Sequence, residues 1–354
     1  MMKQTITALG IMSGTSLDGL DLALCTFSLS DDGTDYEINK AATIPYTSEF
    51  RNILSGIHKA SAVEISLLNV RYGEWIGEQC RRFLEGYGLK PQLIASHGHT
   101  VFHQPENRFT LQIGSGAAIA AVTGITTISD FRSLDVALGG QGAPLVPLGD
   151  RLLFGSHAAC INLGGFANIS FPDHGRQKAF DICPANIILN RVAAKLGYAM
   201  DESGHLAASG TIHPILLENL NMLPFYRQTG PRSLGREWTE TQIIPLLEAS
   251  GADPVTLLCT FTEHIAMQTA KAIPHSISGT AIITGGGAHN TYLISRIQAY
   301  TKTKLHLPDK LTIDFKEALI FALLGTLRFL NRNNCLAEVT GAAADSSGGA
   351  IYLR

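Results

Sequence analysis

No Cys-x-x-Cys pair occurs in this sequence, and its six cysteines (Cys25, Cys80, Cys160, Cys183, Cys259 and Cys335) stand far apart. That spacing excludes a disulfide framework and a cysteine-based zinc site, and it fits buried thiols in a reducing compartment. No block of lysine and arginine is present and the net charge is −3, so the electrostatic footprint of a nucleic-acid-binding surface is missing. The N-terminus lacks the basic start and long apolar core of a secretory signal. The most apolar late stretch, residues 318–330, is interrupted by Gly325 and Arg328 and is too short to span a bilayer. These absences predict a cytoplasmic protein with neither nucleic acid nor membrane as partner. Three familiar phosphate-binding signatures are also missing: Gly-x-x-x-x-Gly-Lys-Ser/Thr, Gly-x-Gly-x-x-Gly after a strand, and the His-Arg-Asp catalytic loop. A nucleotide handled by this chain requires a different scaffold.

Apolar residues make up 45% of the 354 positions and charged residues only 16%, which is ample for a folded core. The 35 glycines favour many tight loops over long helical bundles. The length predicts two domains. Residues 5–9 and 20–28 alternate as two strands of a hairpin, and residues 63–85 carry a helical apolar stripe that includes Ile65, Leu68, Trp75, Ile76 and Phe83. A short strand over 92–95 delivers Ser96-His97-Gly98-His99-Thr100. Residues 117–122 read as helix, and 126–129 as a strand ending at Asp130-Phe131-Arg132. A second unit opens with a strand over 158–163, a glycine turn over 164–168 and a returning strand over 169–171, the same type of hairpin as the first. Later, a strand over 280–284 runs into Gly285-Gly286-Gly287 and a helix from about Thr291. A strand, a glycine turn and a helix N-terminus suit a nucleotide lying against backbone. The repeated hairpin predicts two related α/β domains.

The turn between the first two strands is rich in small and hydroxylated residues, Ser13-Gly14-Thr15-Ser16-Leu17-Asp18-Gly19. Small residues allow close backbone approach, and their amides and hydroxyls suit polyphosphate oxygens, while Asp18 and Asp21 suit a metal ion between protein and phosphate. The alternative is a plain hairpin turn. Asp181, in Phe-Asp-Ile-Cys-Pro-Ala-Asn, is either a base or a cap for a helix starting near Ala185. Glu317 opens an apolar stretch and is either a helix-start charge or an acceptor for a hydroxyl. His97, His99 and His103 lack the nearby cysteine or carboxylate that a zinc site requires, so they are read as ligand-contacting or loop-packing side chains.

Taken jointly, the two hairpins and the turn at residues 285–287 resemble the sugar kinase/Hsp70/actin superfamily. At family level the chain is similar to the anhydro-N-acetylmuramic acid kinases. The motifs that carry this are Gly-Ile-Met-Ser-Gly-Thr-Ser-Leu-Asp-Gly (residues 10–19), Ser-His-Gly-x-Thr (96–100), Gln-Ile-Gly (112–114) and Asp-Phe-Arg (130–132). Further along come Gly-Gly-Gln-Gly-Ala-Pro-Leu-Val-Pro (139–147), Asn-Leu-Gly-Gly-Phe-Ala-Asn (162–168), Gly-Pro-Arg-Ser-Leu-Gly-Arg-Glu (230–237), Gly-Gly-Gly-Ala-His-Asn (285–290) and Glu317-Ala318. The resemblance implies an α/β, two-domain actin-like ATPase fold with an interdomain cleft, one domain formed by residues 1–127 plus 331–354 and the other by 128–330. It implies ATP held by Gly14, Thr15, Ser16, Leu17, Asp18, Gly19, Leu20 and Asp21, by Gly164, Gly165 and Asn168, and by Gly285, Gly286, Gly287 and Asn290. Asp18 would support Mg²⁺. The implied reaction turns 1,6-anhydro-N-acetylmuramic acid, water and ATP into N-acetylmuramic acid 6-phosphate in peptidoglycan recycling. Asp181 would be the base, and His97, Thr100, Arg132, Asn186 and Glu317 would contact the sugar. Arg132 and Arg236 are candidates for the lactyl carboxylate, and a homodimer is an expected assembly. The chain departs from the family pattern Asp-Thr/Cys-Gly-Pro-Gly-Asn at Ile182, Cys183 and Ala185, which predicts added bulk near the reacting centre and loss of easy positive φ. His99 stands where the family usually has Gln. The altered 182–185 segment motivates a second reading, a kinase of the same fold acting on another small sugar or polyol. A third, a non-catalytic ATP-dependent clamp, is disfavoured because no peptide-binding region extends beyond the ATPase core.

Overall fold

The computed structural model describes residues 4–14, 17–30, 33–228, 232–274 and 279–354. The chain divides into two compact units, Met1–Leu153 with Phe315–Arg354, and Phe154–Asp314. The boundaries expected at 127/128 and 330/331 therefore fall at 153/154 and 314/315. The reason is sheet pairing: residues 127–129 form an inner strand of the first sheet, hydrogen-bonded on both sides, and cannot be parted from it.

The first unit contains strands β1 (Gln4–Ser13), β2 (Gly19–Ser30), β3 (Gly33–Pro45) and β4 (Leu93–Ser96), a small hairpin of β5 (His99–Gln104) and β6 (Phe109–Ile113), and β7 (Thr127–Ser129). Its main sheet runs β3-β2-β1-β4-β7 and closes with the C-terminal strand Ala350–Tyr352. β1 and β2 pair antiparallel from Gln4↔Leu29 to Ser13↔Leu20, so the hairpin is longer at both ends than the alternating residues suggest. β1, flanked on both sides, is a nearly continuous apolar run. β3 is an edge strand with no buried residue and with Asp35, Glu37 and Lys40 along it. The helix Ala62–Leu84 covers this sheet, started by a capping box in which Ser61 and Glu64 satisfy each other's backbone N–H. Tyr72, Ile76 and Cys80 from the helix meet Leu9, Ile11, Leu22, Leu24 and Ile94 in one core.

The second unit contains β8 (Ala159–Leu163), β9 (Phe166–Asp173), β10 (Arg176–Pro184), β11 (Thr280–Thr284) and β12 (Lys304–His306), in the order β10-β9-β8-β11-β12. Three antiparallel strands followed by two parallel ones is the plan of β3-β2-β1-β4-β7 as well. The duplication inferred from two short hairpins thus extends over ten strands. Helix Pro254–Ala272, capped by the Asp253 carboxylate on the N–H groups of Val255 and Thr256, fills the core with Leu258, Phe261 and Ile265 against Ile161, Leu163 and Ile169.

Helix Lys310–Phe329 breaks its helical geometry at Phe315 (φ −116°, ψ 16°), where the chain passes back into the first unit. From there it lies directly on the first sheet. A Cβ on Gly10 would stand 1.9 Å from the Ala318 carbonyl oxygen, and one on Gly325 would stand 2.4 Å from Ala95 Cβ. Both glycines are required by backbone proximity. Among the described residues no helix is long and apolar enough to cross a membrane, and all six cysteines are buried thiols.

Candidate active site

In the second unit a row of polar residues crosses the sheet. Asn162 on β8 pairs with Asn168 on β9, Asn168 pairs with Asp181 on β10, and Thr284 on β11 pairs with Asn162. Residues paired in register project from the same sheet face, so these four form a polar line at the open end of β8. The turn after β8 is Gly164-Gly165 alone, and Asn168, expected in the turn, is a strand residue. The carbonyls of Gly164 and Gly165 accept hydrogen bonds from the N–H groups of Asn186 (3.1 Å), Ala185 (2.8 Å) and Ile187 (3.2 Å), which clasps the turn to the start of helix Asn186–Ala194. Asn186 Nδ2 also donates to the Leu163 carbonyl at 3.1 Å. Gly285 (φ 81°) occupies a backbone conformation that disfavours any Cβ, and one there would meet Asn162 Oδ1 at 2.5 Å. Gly287 is confined likewise by Leu163. Gly164, Gly165, Asn186, Gly285, Gly286 and Gly287 therefore converge around the end of β8. Asn290 makes a structural contact of its own. It is buried, and its side chain caps helix Thr291–Tyr300 by accepting the Leu293 N–H at 2.9 Å.

Asp181 does not cap a helix. The residue before helix Asn186–Ala194 is Ala185, without a side-chain cap, and Asp181 lies within β10. One carboxylate oxygen, Oδ2, accepts the Leu234 N–H (2.8 Å) and faces the Ser233 hydroxyl (3.4 Å). Among the described residues no side chain or N–H bonds the other, Oδ1. Burial pushes this carboxyl up from its ordinary range, while the Leu234 and Ser233 hydrogen bonds and the Arg232 charge pull it back. The outcome is a carboxylate that remains an acceptor yet is more basic than one in water.

In the first unit the turn between β1 and β2 carries Gly14, Leu17, Asp18 and Gly19, while Thr15 and Ser16 lie outside the described residues. Leu17 adopts φ 58° and donates its N–H to Gly14 O at 3.3 Å, and the Asp18 side chain is exposed beside it. Asp21 points along β2 beside Thr43, whose hydroxyl donates to it at 2.6 Å. His97 is buried between two fixed partners. Its Nδ1 donates to Gly98 O (2.9 Å), and its Nε2 accepts from Arg132 Nε (3.0 Å) and Nη2 (2.9 Å). Burial, then the Arg132 charge, hold its pKa well below the usual histidine value, so the neutral Nδ1–H tautomer is the one that fits. Both ring nitrogens are committed, and Arg132 is itself tied to Gly142 O at 2.6 Å. His99 sits 3.5 Å from Ser13 Oγ in a buried chain that continues through Tyr46 to Tyr72, and burial lowers its pKa to about 4. His103 packs its loop through Thr110. Among the described residues no cluster of three metal-ligating side chains occurs. Thr100 is half-buried, 3.5 Å from Gln112 Nε2. Glu317 is not a helix-start charge: it lies inside helix Lys310–Phe329, two residues after the break at Phe315. Its carboxylate stays open to solvent while crowded by protein; that crowding, with Asp21 adding, raises its pKa against the opposing charges of Lys316 and Arg132. Lys316 is locked below in a buried ion pair with Asp150 at 2.8 Å.

The sequence profile described as anhydro-N-acetylmuramic acid kinase matches residues 6–354 of the chain. The chain belongs to the anhydro-N-acetylmuramic acid kinase family. Similar relatives carry that name. The protein from Nitrosomonas europaea is 36% identical over 97% of this chain and 98% of its own, that from Pseudomonas fluorescens 36% over the same shares, and that from Pseudomonas putida 37% over 82% of each. The two sheets of one strand plan agree with the α/β class expected from the motifs.

Against the family pattern, the substitutions at 182, 183 and 185 turn out differently from their expectation. Ile182, Cys183 and Ala185 are each fully buried in the core of the second unit, and none has a positive φ. The added side chains fill the interior and leave the polar face of Asp181 unobstructed. Three functional features escaped the sequence reading. Asn162 and Thr284 join the polar row only through strand register, and Arg232-Ser233-Leu234 reaches Asp181 from 51 or more residues away in sequence. The motif around residue 232 was visible; its destination was not. Arg236, by contrast, is exposed on the short helix Arg236–Trp238.

Proposed function

We propose that the protein is an ATP-dependent kinase that converts 1,6-anhydro-N-acetylmuramic acid and water into N-acetylmuramic acid 6-phosphate and ADP. The observation that carries this reading is the Asp181 carboxylate, saturated on one oxygen and open on the other, on a polar row beside two glycine turns. A water held at Oδ1 loses a proton to it and forms a bond to the anomeric carbon. The bridging C–O bond breaks, and O6 takes the γ-phosphoryl group as ADP leaves. General-base assistance of this kind contributes roughly 10²–10⁴-fold, while the phosphoryl step requires alignment and charge neutralisation.

The turns at residues 14–21, 164–165 and 285–287 are assigned to ATP, with Asn168 and Asn290 supporting them. Thr100, Glu317, His97 and Arg132 of the first unit and Asn186 of the second are assigned to the sugar, His97 and Arg132 being braced against each other. The exposed Asp18 carboxylate at the first turn suits Mg²⁺, a hard cation that takes one or two protein oxygens and completes its shell with water and phosphate. Bound there, it would neutralise phosphate charge. The reading of a small sugar or polyol kinase loses its motive, because the residues that prompted it lie in the core. A cytoplasmic setting is supported by six buried thiols, and a homodimer is the assembly to be tested by sedimentation.

The deciding experiment is Asp181→Asn in a coupled ADP-release assay with the anhydro sugar. The variant is expected to melt like the parent and bind ATP, with turnover down roughly 10²–10⁴-fold. Unimpaired turnover in a folded variant refutes the assignment.

A further inference from the structure

Arg232 is held more firmly than any role in surface solubility requires. Its Nε donates to the Asp181 carbonyl at 3.0 Å, and its Nη1 reaches the carbonyls of Gln228 (3.2 Å) and Phe225 (3.5 Å). Its guanidinium lies over the rings of Phe180 (4.9 Å) and Phe225 (5.0 Å). In return, Arg232 O accepts the Asp181 N–H at 3.0 Å. The two residues thus exchange a pair of hydrogen bonds, and the chain from 232 onward is laid against the end of β10. One and two positions later this alignment delivers the Ser233 hydroxyl and the Leu234 N–H to the same carboxylate oxygen, Oδ2. A planar fork that engages three carbonyls while stacking on aromatic faces is a task for arginine and cannot be copied by a lysine point charge.

We propose that Arg232 is the positioning residue of the catalytic base: it docks the 232–234 segment on Asp181, so that Oδ2 is saturated and Oδ1 is the one basic atom presented to the attacking water. This deepens the function proposed above and rests on it. Its positive charge acts in the same direction as the docking, favouring the ionised carboxylate. The other titratable groups around Asp181 are the buried Cys183 thiol and, beside Arg232, the Tyr226 hydroxyl. Burial raises the pKa of both, so both stay neutral near pH 7 and leave Arg232 as the charge that faces the base.

The test compares the parent with Arg232→Met and Arg232→Lys in the full chain. The first readout is the pH profile of kcat for the anhydro sugar. A base must be ionised to act, so activity falls as pH drops through its pKa, and removing the arginine moves that acid limb to higher pH. For Arg232→Met, kcat is expected to fall about 10–100-fold with the limb displaced upward by about one pH unit, and KM for ATP unchanged. Arg232→Lys keeps the charge, so its limb stays near the parent's while kcat recovers only in part. The second readout is a ¹³C carboxyl NMR titration of aspartate-labelled protein, with the Asp181 signal identified by its loss in Asp181→Asn. It reports the carboxyl directly and does not depend on turnover, and the same upward displacement is expected. A folded Arg232→Met whose kcat falls while limb and NMR titration stay in place overturns the proposal, since that is the pattern of a merely structural residue. If Arg232→Met does not fold, Ser233→Ala carries the test, and an unmoved Asp181 titration there overturns it. An Asp181→Asn variant with parental turnover instead refutes the base assignment, whatever the titration shows.

Discussion

Replacing Gly10 with alanine tests the claim that the helix bearing Glu317 is seated on bare backbone. The new Cβ would fall 1.9 Å from the Ala318 carbonyl oxygen and 2.9 Å from Ala322 Cβ, where ordinary contact begins near 3.4 Å. The shortfall of about 1.5 Å is against a helix carbonyl and a β1 backbone atom, neither of which can swing aside, so the helix must retreat. Overpacking of this kind costs about 1–3 kcal/mol, and with rigid partners the upper end applies. For a domain of this size, about 3 kcal/mol lowers Tm by about 6–12 °C. The assay is differential scanning calorimetry, with Gly165→Ala as the comparison. A methyl group on Gly165 would have open space, with no neighbouring atom within 4 Å, and the residue has no positive φ. Gly165→Ala is therefore expected to change stability by less than about 0.5 kcal/mol and to weaken ATP binding instead. A Gly10→Ala protein melting within about 2 °C of the parent would refute the reasoning.

Three further outcomes are expected. His99 is buried with a pKa lowered to about 4, against about 6.5 in the unfolded chain. Between these values the unfolded state binds the extra proton, so His99 withdraws up to about 3 kcal/mol of stability as pH falls from 6.5 to 4. His99→Gln should flatten that part of a urea-denaturation series, and an equally steep acid loss in the variant would count against it. Lys316→Met should destabilise by about 3–5 kcal/mol by removing the buried ion pair of Asp150, whereas Lys316→Met/Asp150→Leu should regain most of the loss; a double variant no better than the single one argues otherwise. Asp18→Asn should raise the Mg²⁺ concentration needed for half-maximal turnover at least tenfold while leaving sugar binding, measured by calorimetry, unchanged.

Much of this architecture is written in local pattern. β1, β2, β8 and β11 are apolar runs bounded by glycine, and helix Ala62–Leu84 announces itself by a capping box and an apolar stripe. β3 could not be read that way, because an edge strand needs no buried face and its charged residues look like loop. The outer half of β10 is hard to read for a related reason, since exposed Arg176 and Lys178 flank a buried Gln177. At the site, the glycine turns stand out in the sequence, whereas Asp181 on its own neighbours reads equally as a base or a helix cap, and only the family resemblance points to the base. The polar row was not legible, since it depends on which residues pair across strands, and register is a tertiary property. His97 is legible only in part. A histidine beside glycine and threonine looks like a ligand-binding side chain, and only the structure reveals that Arg132 and Gly98 already occupy its two nitrogens.

β10 carries an extra residue: Asp181 pairs with Asn168 and Cys183 with the adjacent Ala167, so Ile182 has no partner across the ladder. At that point the strand abandons strict alternation and turns Ile182 and Cys183 alike toward the interior, immediately after a residue that faces outward. Selection on the two sides of this irregularity is therefore of different kinds. On the mechanism proposed above, position 181 answers to chemistry, whereas 182 and 183, both fully buried, answer to volume and should drift among apolar residues of suitable size without touching turnover. A library randomised at 182 and 183 should be sorted by melting temperature, its folded survivors retaining activity. Excising Ile182 would do the reverse: it restores an even ladder, preserves apolar content, and swings the carboxylate off the row on which it serves.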